Sequence, residues 1–203
     1  MVSLKYDFIP VDGLKRTGQN MAATTLTIHS TANLSSTAQN ERNNLARVSN
    51  RREASFHYVV DDKEAICCIP PSERAKHAGS RAGNDTSLSL EICESGNREK
   101  TIKNAVELTA VILKERGWGI ERLRQHHDWQ PAKNCPRILR TGNLWQEFKE
   151  RVEKEMSEIK TGQAAIDYLV KRGIINSPAY WYKVLDTTRD FDLFVIKVAN
   201  ALN

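Results

Sequence analysis

Thr24–Thr31 reads TTLTIHST, and its alternation sets the fold class. Leu26 and Ile28 point one way while Thr25, Thr27 and His29 point the other, the two-residue period of a strand. The strand carries His29 to its polar end. A second run, SLSLEIC at Ser87–Cys93, repeats the pattern, with Leu88, Leu90 and Ile92 on one face and Ser89, Glu91 and Cys93 on the other. A histidine so placed is, taken alone, an ordinary hydrogen-bonded polar residue. Glu91 either lines a cleft or pairs with an arginine, because a carboxylate buried in an apolar strand is otherwise costly to desolvate.

Working outward, TAQNERNNLARVSN (37–50) reads as a surface helix with Leu45 and Val48 turned inward. SFHYVVDDKEAICCIP (55–70) is a hairpin candidate, its two β-rich runs joined by Asp61-Asp62-Lys63. The segment from Glu73 to Asp85 mixes glycines, small residues and charges without periodicity, and reads as a long functional loop. Ile102, Ala105, Val106, Thr109, Ile112 and Leu113 recur at helical spacing over about 101–116, with Gly117 as the stop. IERLRQH (120–126) is a short strand, and Leu144, Phe148, Val152, Met156 and Ile159 form the stripe of a long amphipathic helix.

Thr161-Gly162-Gln163 breaks that stripe and places a domain boundary, giving a larger domain over 1–160 and a helical module over 163–203. Three helical signals fill the module; the second has Asn176-Ser177-Pro178 as cap and first-turn proline. A unit this small is marginal alone, so it is expected to pack on the larger domain or on another copy. Its aromatics are read mainly as core.

The 203 residues carry a net charge of +5, with the charges interspersed rather than in a dense basic block. That balance suits an anionic polymer such as a bacterial wall and argues against nucleic acid as the partner. No apolar run approaches the roughly 20 residues of a membrane-spanning helix, and the N-terminus lacks the pattern of a secretory signal. The expectation is therefore a protein without a membrane partner that stays in the cytoplasm where it is made unless something else releases it. The four cysteines are too few and too irregular for a disulfide framework, which fits a reducing compartment.

The chemistry concentrates in QHHDWQPAKNCP, Gln125–Pro136. His126, or alternatively His127, and Cys135 offer imidazole and thiolate donors on one loop, and zinc takes both in a tetrahedral site. A structural zinc wants a fourth protein ligand, commonly from a Cys-x-x-Cys pair, which the sequence lacks. With His29 as third ligand the site stays open for water, which favours catalysis.

TIHSTAN, FHYVVDD, KHAG, SLEIC and HHDWQPAKNCP, in this order, resemble the zinc-dependent N-acetylmuramoyl-L-alanine amidases of the amidase-2 type, relatives of peptidoglycan recognition proteins. The resemblance covers about residues 20–155. It implies an α/β fold with a mixed central sheet flanked by helices, peptidoglycan as partner, and zinc (Zn2+) at the bottom of a substrate groove. It assigns His29, His126 and Cys135 to the metal, Glu91 to general acid–base work, and Lys133 to the tetrahedral oxyanion. His77 of KHAG corresponds to a substrate-groove histidine, although Lys76 stands where the family usually has tryptophan, and His57 takes a supporting position near the site. The family's His-x-Asp/Glu template fits His126-His127-Asp128 with His126 as ligand. Counting back from Cys135 suits His127 instead, and the strand end favours His126 because loops absorb insertions and strand registers do not. An amidase followed by a small module is similar to phage endolysins of Gram-positive hosts, with holin-type release, wall binding by the module, or self-association through it. A bacterial autolysin of the same chemistry and a non-catalytic peptidoglycan recognition protein are the alternatives.

Overall fold

The computed structural model describes residues 2–203, which fall into two compact units, 2–153 and 154–203. The larger unit is built on a six-stranded mixed sheet of β1 (Leu4–Tyr6), β2 (Thr25–Ser30), β3 (Tyr58–Val60), β4 (Ala65–Cys67), β5 (Ser87–Ile92) and β6 (Leu123–Gln125). Their order across the sheet is β1-β4-β3-β5-β2-β6, and all neighbours are parallel except the β3–β4 hairpin. The parallel strands β3, β5, β2 and β6 therefore end at one edge, where open α/β sheets place their ligands.

Helices α1 (Ala38–Ala46) and α3 (Arg98–Glu115) cover the sheet: α1 packs on β3 and β4, and α3 packs on β3 and β5. The α1 side buries Ala38 and Leu45 with Val59, Ile66 and Cys68. Thr37 caps α1, its hydroxyl accepting from the Asn40 amide, and Asn97 caps α3 in the same way onto Lys100. Helix α3 runs on to Glu115, and Gly117 beyond it adopts φ +63°, the left-handed conformation that closes a helix.

Several sequence expectations are corrected. Strand β1 was not anticipated, although VSLKYDF (2–8) alternates apolar and polar residues as a strand does. Helix α1 ends at Ala46, so Val48 lies past it and is 81% exposed rather than turned inward. The 120–126 segment is strand only over β6, being preceded by a 3-10 turn at Ile120–Arg122. The loop over 73–85 contains the start of a short helix, α2 (Arg81–Thr86), capped by Ser80. Gly83 permits it: a Cβ there would lie 2.4 Å from the Ala78 Cβ and 2.8 Å from the Trp129 ring. Helices α4 (His126–Trp129) and α5 (Leu144–Ser157) follow β6, and Phe148 and Val152 of α5 are buried.

The smaller unit begins inside α5, earlier than the Thr161–Gln163 break, because Ile159 packs against its core. Thr161 is the N-cap of α6 (Gly162–Lys171), its hydroxyl accepting from the Ala164 amide. Helices α7 (Pro178–Thr187) and α8 (Phe191–Ala201) complete the unit, and Ala165, Ile166, Leu169, Val195 and Ala199 form its core. Trp181 and Phe191 stack against this core, while Tyr180 and Phe194 are 61% and 62% exposed. Pro178 opens α7 as expected, but Ser177 sits at φ +56° and its side chain makes no capping bond. Among the described residues no helix is long and apolar enough to cross a membrane.

Candidate metal centre and active site

Strand register brings the functional groups together. His29 pairs with Glu91 across β2 and β5, and Ile28 pairs with Gln125 across β2 and β6, so the next position on that side is His126. The His29 and His126 rings lie 4.7 Å apart between centroids. Cys135 returns on the loop after α4, its Sγ 3.7 Å from His29 Nδ1. His29, His126 and Cys135 each present a donor atom, all within 4.8 Å of one another.

These residues fit a metal ion. The 3.7 Å between thiol and imidazole nitrogen is close to the roughly 3.6 Å edge of a tetrahedron with zinc-type bond lengths. His126 Nε2 is buried and has no hydrogen-bond partner among the described residues, and the same holds for Glu91 Oε2, which lines the same groove. Buried polar atoms are rarely left so, and a cation with its water would satisfy both. Burial pushes the His29 and His126 pKa values down, helped by His77 and His126 for the first and Lys133 for the second, which favours the neutral rings that a metal requires. Burial and the adjacent Glu91 push the Cys135 thiol up to about 12. A cation in the cluster reverses that shift and makes the thiolate the stable form.

His127 faces away from this cluster. Its ring donates from Nδ1 to the Lys133 carbonyl at 3.1 Å, and its backbone amide donates to the Cys135 carbonyl at 3.1 Å. It thus clasps the returning loop. Asp128 accepts from the Gln125 amide at 2.8 Å in a capping box that starts α4 at His126.

Glu91 Oε1 lies 3.9 Å from His29 Nδ1, and its side chain is 18% exposed at the floor of a groove of about 480 Å³. Burial, with smaller contributions from Glu41 and Glu94, pushes its pKa up to about 8. Lys133 is exposed and lines the same groove beside His126 and Cys135. Glu94, three residues beyond Glu91, was not singled out in the sequence. It accepts from Arg137 Nε and Nη2 at 2.9 and 2.6 Å and from the Ala32 amide at 3.0 Å, tying the exits of β2 and β5 to the chain just past Cys135. Nothing local in the sequence marks this pair, because its partners are distant along the chain.

His77 departs from the expectation of a substrate contact. It reaches the groove but is only 8% exposed, and both ring nitrogens are engaged: Nδ1 with His29 Nε2 and Nε2 with the Ser87 carbonyl, each at 3.0 Å. Burial, then His57, pushes its pKa down to about 3. His57 lies farther back, its ring centroid 6.2 Å from that of His77. It donates from Nε2 to the Glu73 carbonyl at 2.8 Å and accepts at Nδ1 from the Ser89 amide at 3.0 Å.

Comparison with known proteins identifies the family. The family described as N-acetylmuramoyl-L-alanine amidase (Amidase_2) matches residues 19–138. The N-acetylmuramoyl-L-alanine amidase XlyB of Bacillus subtilis (strain 168) is 37% identical over 166 residues, 75% of this chain and 51% of that protein. The catalytic domain of XlyA superposes with a TM-score of 0.69 at 32% identity, covering 74% of this chain and 99% of that one. A mutant endolysin from Bacillus subtilis gives a TM-score of 0.69 at 32% identity, over 75% of this chain and 99% of that one. The chain spans about half the length of the first curated relatives it matches. On the strength of the matched profile and of these identities, the chain belongs to the N-acetylmuramoyl-L-alanine amidase family.

Proposed function

We propose that the larger unit is a zinc amidase that hydrolyses the amide joining the lactyl group of N-acetylmuramic acid to L-alanine in bacterial peptidoglycan, and that the protein acts as a phage endolysin on a Gram-positive wall. The observation that carries this reading is the His29–His126–Cys135 cluster beside Glu91 at the ends of parallel strands. The endolysin assignment is supported by the likeness to a solved Bacillus subtilis endolysin.

Zinc, when held by His29, His126 and Cys135, supplies Lewis acidity that polarises the scissile carbonyl and acidifies the attacking water. Glu91 takes the proton of that water and returns it to the departing alanine amine. Its place in the groove lining, 3.9 Å from His29 Nδ1, supports this role. A cation nearby lowers the carboxyl from the raised value that burial imposes, so that it serves as base near neutral pH. Lys133 carries an ammonium to the groove wall, where it stabilises the oxyanion of the tetrahedral intermediate. Lys76 lines the same groove, its ammonium paired with Glu53 at 3.2 Å. The smaller unit, with Tyr180 and Phe194 exposed, serves as the wall-contacting module.

The test is lysis of purified Gram-positive walls by wild type and Glu91→Gln, with and without a chelator, scored for new alanine amino termini and new reducing sugars. The expected outcome is chelator-sensitive release of alanine amino termini, absent in Glu91→Gln. New reducing sugars would make the protein a glycosidase, and wall binding without cleavage would make it a recognition module.

A further inference from the structure

The buried histidine pair His29–His77 carries more information than a contact. The Ser87 carbonyl can only accept, so the His77 nitrogen facing it, Nε2 at 3.0 Å, bears a proton. Among the described residues no carboxylate touches the His77 ring, and it is enclosed by the polar face of β2 and β5, so it is a neutral imidazole with a bare Nδ1. That bare nitrogen lies 3.0 Å from His29 Nε2, which must therefore be the donor. A neutral His29 protonated at Nε2 has its lone pair on Nδ1, the atom facing Cys135 and Glu91.

We propose that His77 is a positioning residue that fixes the tautomer and ring orientation of His29, and so presents the His29 Nδ1 lone pair to the metal. The chain of bonds runs from the Ser87 carbonyl through His77 to His29, linking partners 48 positions apart in sequence. Most metal-bound histidines donate their remaining N–H to a carboxylate, carbonyl or water, which raises the basicity of the ligand. A second imidazole does so here, without adding a negative charge near the metal. The arrangement also engages both ring nitrogens of His77 within the protein. The inference rests on the assignment of His29 as a ligand.

Two substitutions divide the roles of the ring. In His77→Asn the side-chain oxygen stands near the place of Nδ1 and can accept from His29, while the bond to Ser87 is lost. In His77→Gln the amide nitrogen stands near the place of Nε2 and can donate to Ser87, while the acceptor for His29 is lost. Zinc affinity is measured by competition with a chromophoric chelator, and the Co(II) absorption spectrum reports ligand geometry. Affinity is expected to fall about 10- to 100-fold in His77→Gln and His77→Ala, with substantial recovery and a wild-type-like Co(II) spectrum in His77→Asn. Equal affinities for the Asn and Gln variants, or wild-type affinity in His77→Ala, would overturn the proposal. Should the variants fail to fold, 15N spectra of the wild-type histidines decide: His29 and His77 must both be Nε2–H tautomers, and an Nδ1–H tautomer at either overturns it. Failure of the wild type to bind zinc at all would instead remove the metal assignment.

Discussion

The two faces of strands β2 and β5 follow the same backbone and meet opposite fates. Leu26, Ile28, Leu88, Leu90 and Ile92 are completely buried and hold no polar group. Across the same two strands Thr25, Thr27, Ser87 and Ser89 are also buried, yet they are polar and hydrogen-bonded. Thr27 bonds Ser87 at 2.7 Å and accepts from Trp129 Nε1 at 2.8 Å, and Ser89 holds His57. The face ends in His29 and Glu91, where Glu91 Oε2 has no partner among the described residues. One face spends its burial on cohesion. The other spends it on holding a few polar groups in fixed orientations where the strands meet the groove.

If that division is right, damage to each face should have a different signature. On the polar face, Glu91→Gln should remove wall lysis by a factor of about 10²–10⁴, while zinc content and thermal unfolding stay near wild type. Loss of metal together with activity would mean that Glu91 acts as a ligand or scaffold. On the apolar face, Ile28→Ala should destabilise the larger unit by about 2–5 kcal/mol, read by urea unfolding. Activity per folded molecule should be preserved, because the neighbouring His29 is held by its own bonds. An active-site defect exceeding the loss of folded protein would blur the distinction between the faces.

The polar face should also give the protein a pH dependence that the apolar face cannot. Burial lowers the pKa of His57 to about 4, below the 6.5 of an exposed ring, so the fold favours the neutral form and the unfolded chain binds the extra proton. The stabilisation is complete above pH 6.5 and is lost as pH falls toward 4. Metal-free wild type should therefore lose stability between pH 7 and 4.5, and His57→Gln should reduce that loss by about 2 kcal/mol. His77, depressed in the same direction, leaves part of the acid sensitivity in place. Equal slopes for the two proteins would remove His57 from the account.

The same contrast explains what could be read from the sequence. Alternation was legible in β2 and β5 because their two faces differ in polarity, and it put His29 and Glu91 on the polar face of their strands before any register was known. Strand β1 lies in a run, Val2–Phe8, that alternates as well, but it is three residues at the sheet edge with Lys5 and Tyr6 exposed, so the pattern marks no buried face. Helix α2 was hidden because it has no periodic apolar face and depends on Gly83 meeting Trp129 across 46 positions. His77 was assigned to substrate because KHAG marks a groove loop, whereas its bonds to His29 and Ser87 arise from the sheet. The choice between His126 and His127 turned on strand register; Ile28 pairs with Gln125, and it is His126 that brings a donor atom near those of His29 and Cys135.

The central claim is that the metal is held by His29, His126 and Cys135, with His127 only clasping the loop. Zinc content per chain, measured on His126→Ala and His127→Ala purified side by side, tests it most directly. The account predicts loss of stoichiometric zinc in His126→Ala and close to one zinc per chain in His127→Ala. Retention in the first with loss in the second would contradict it.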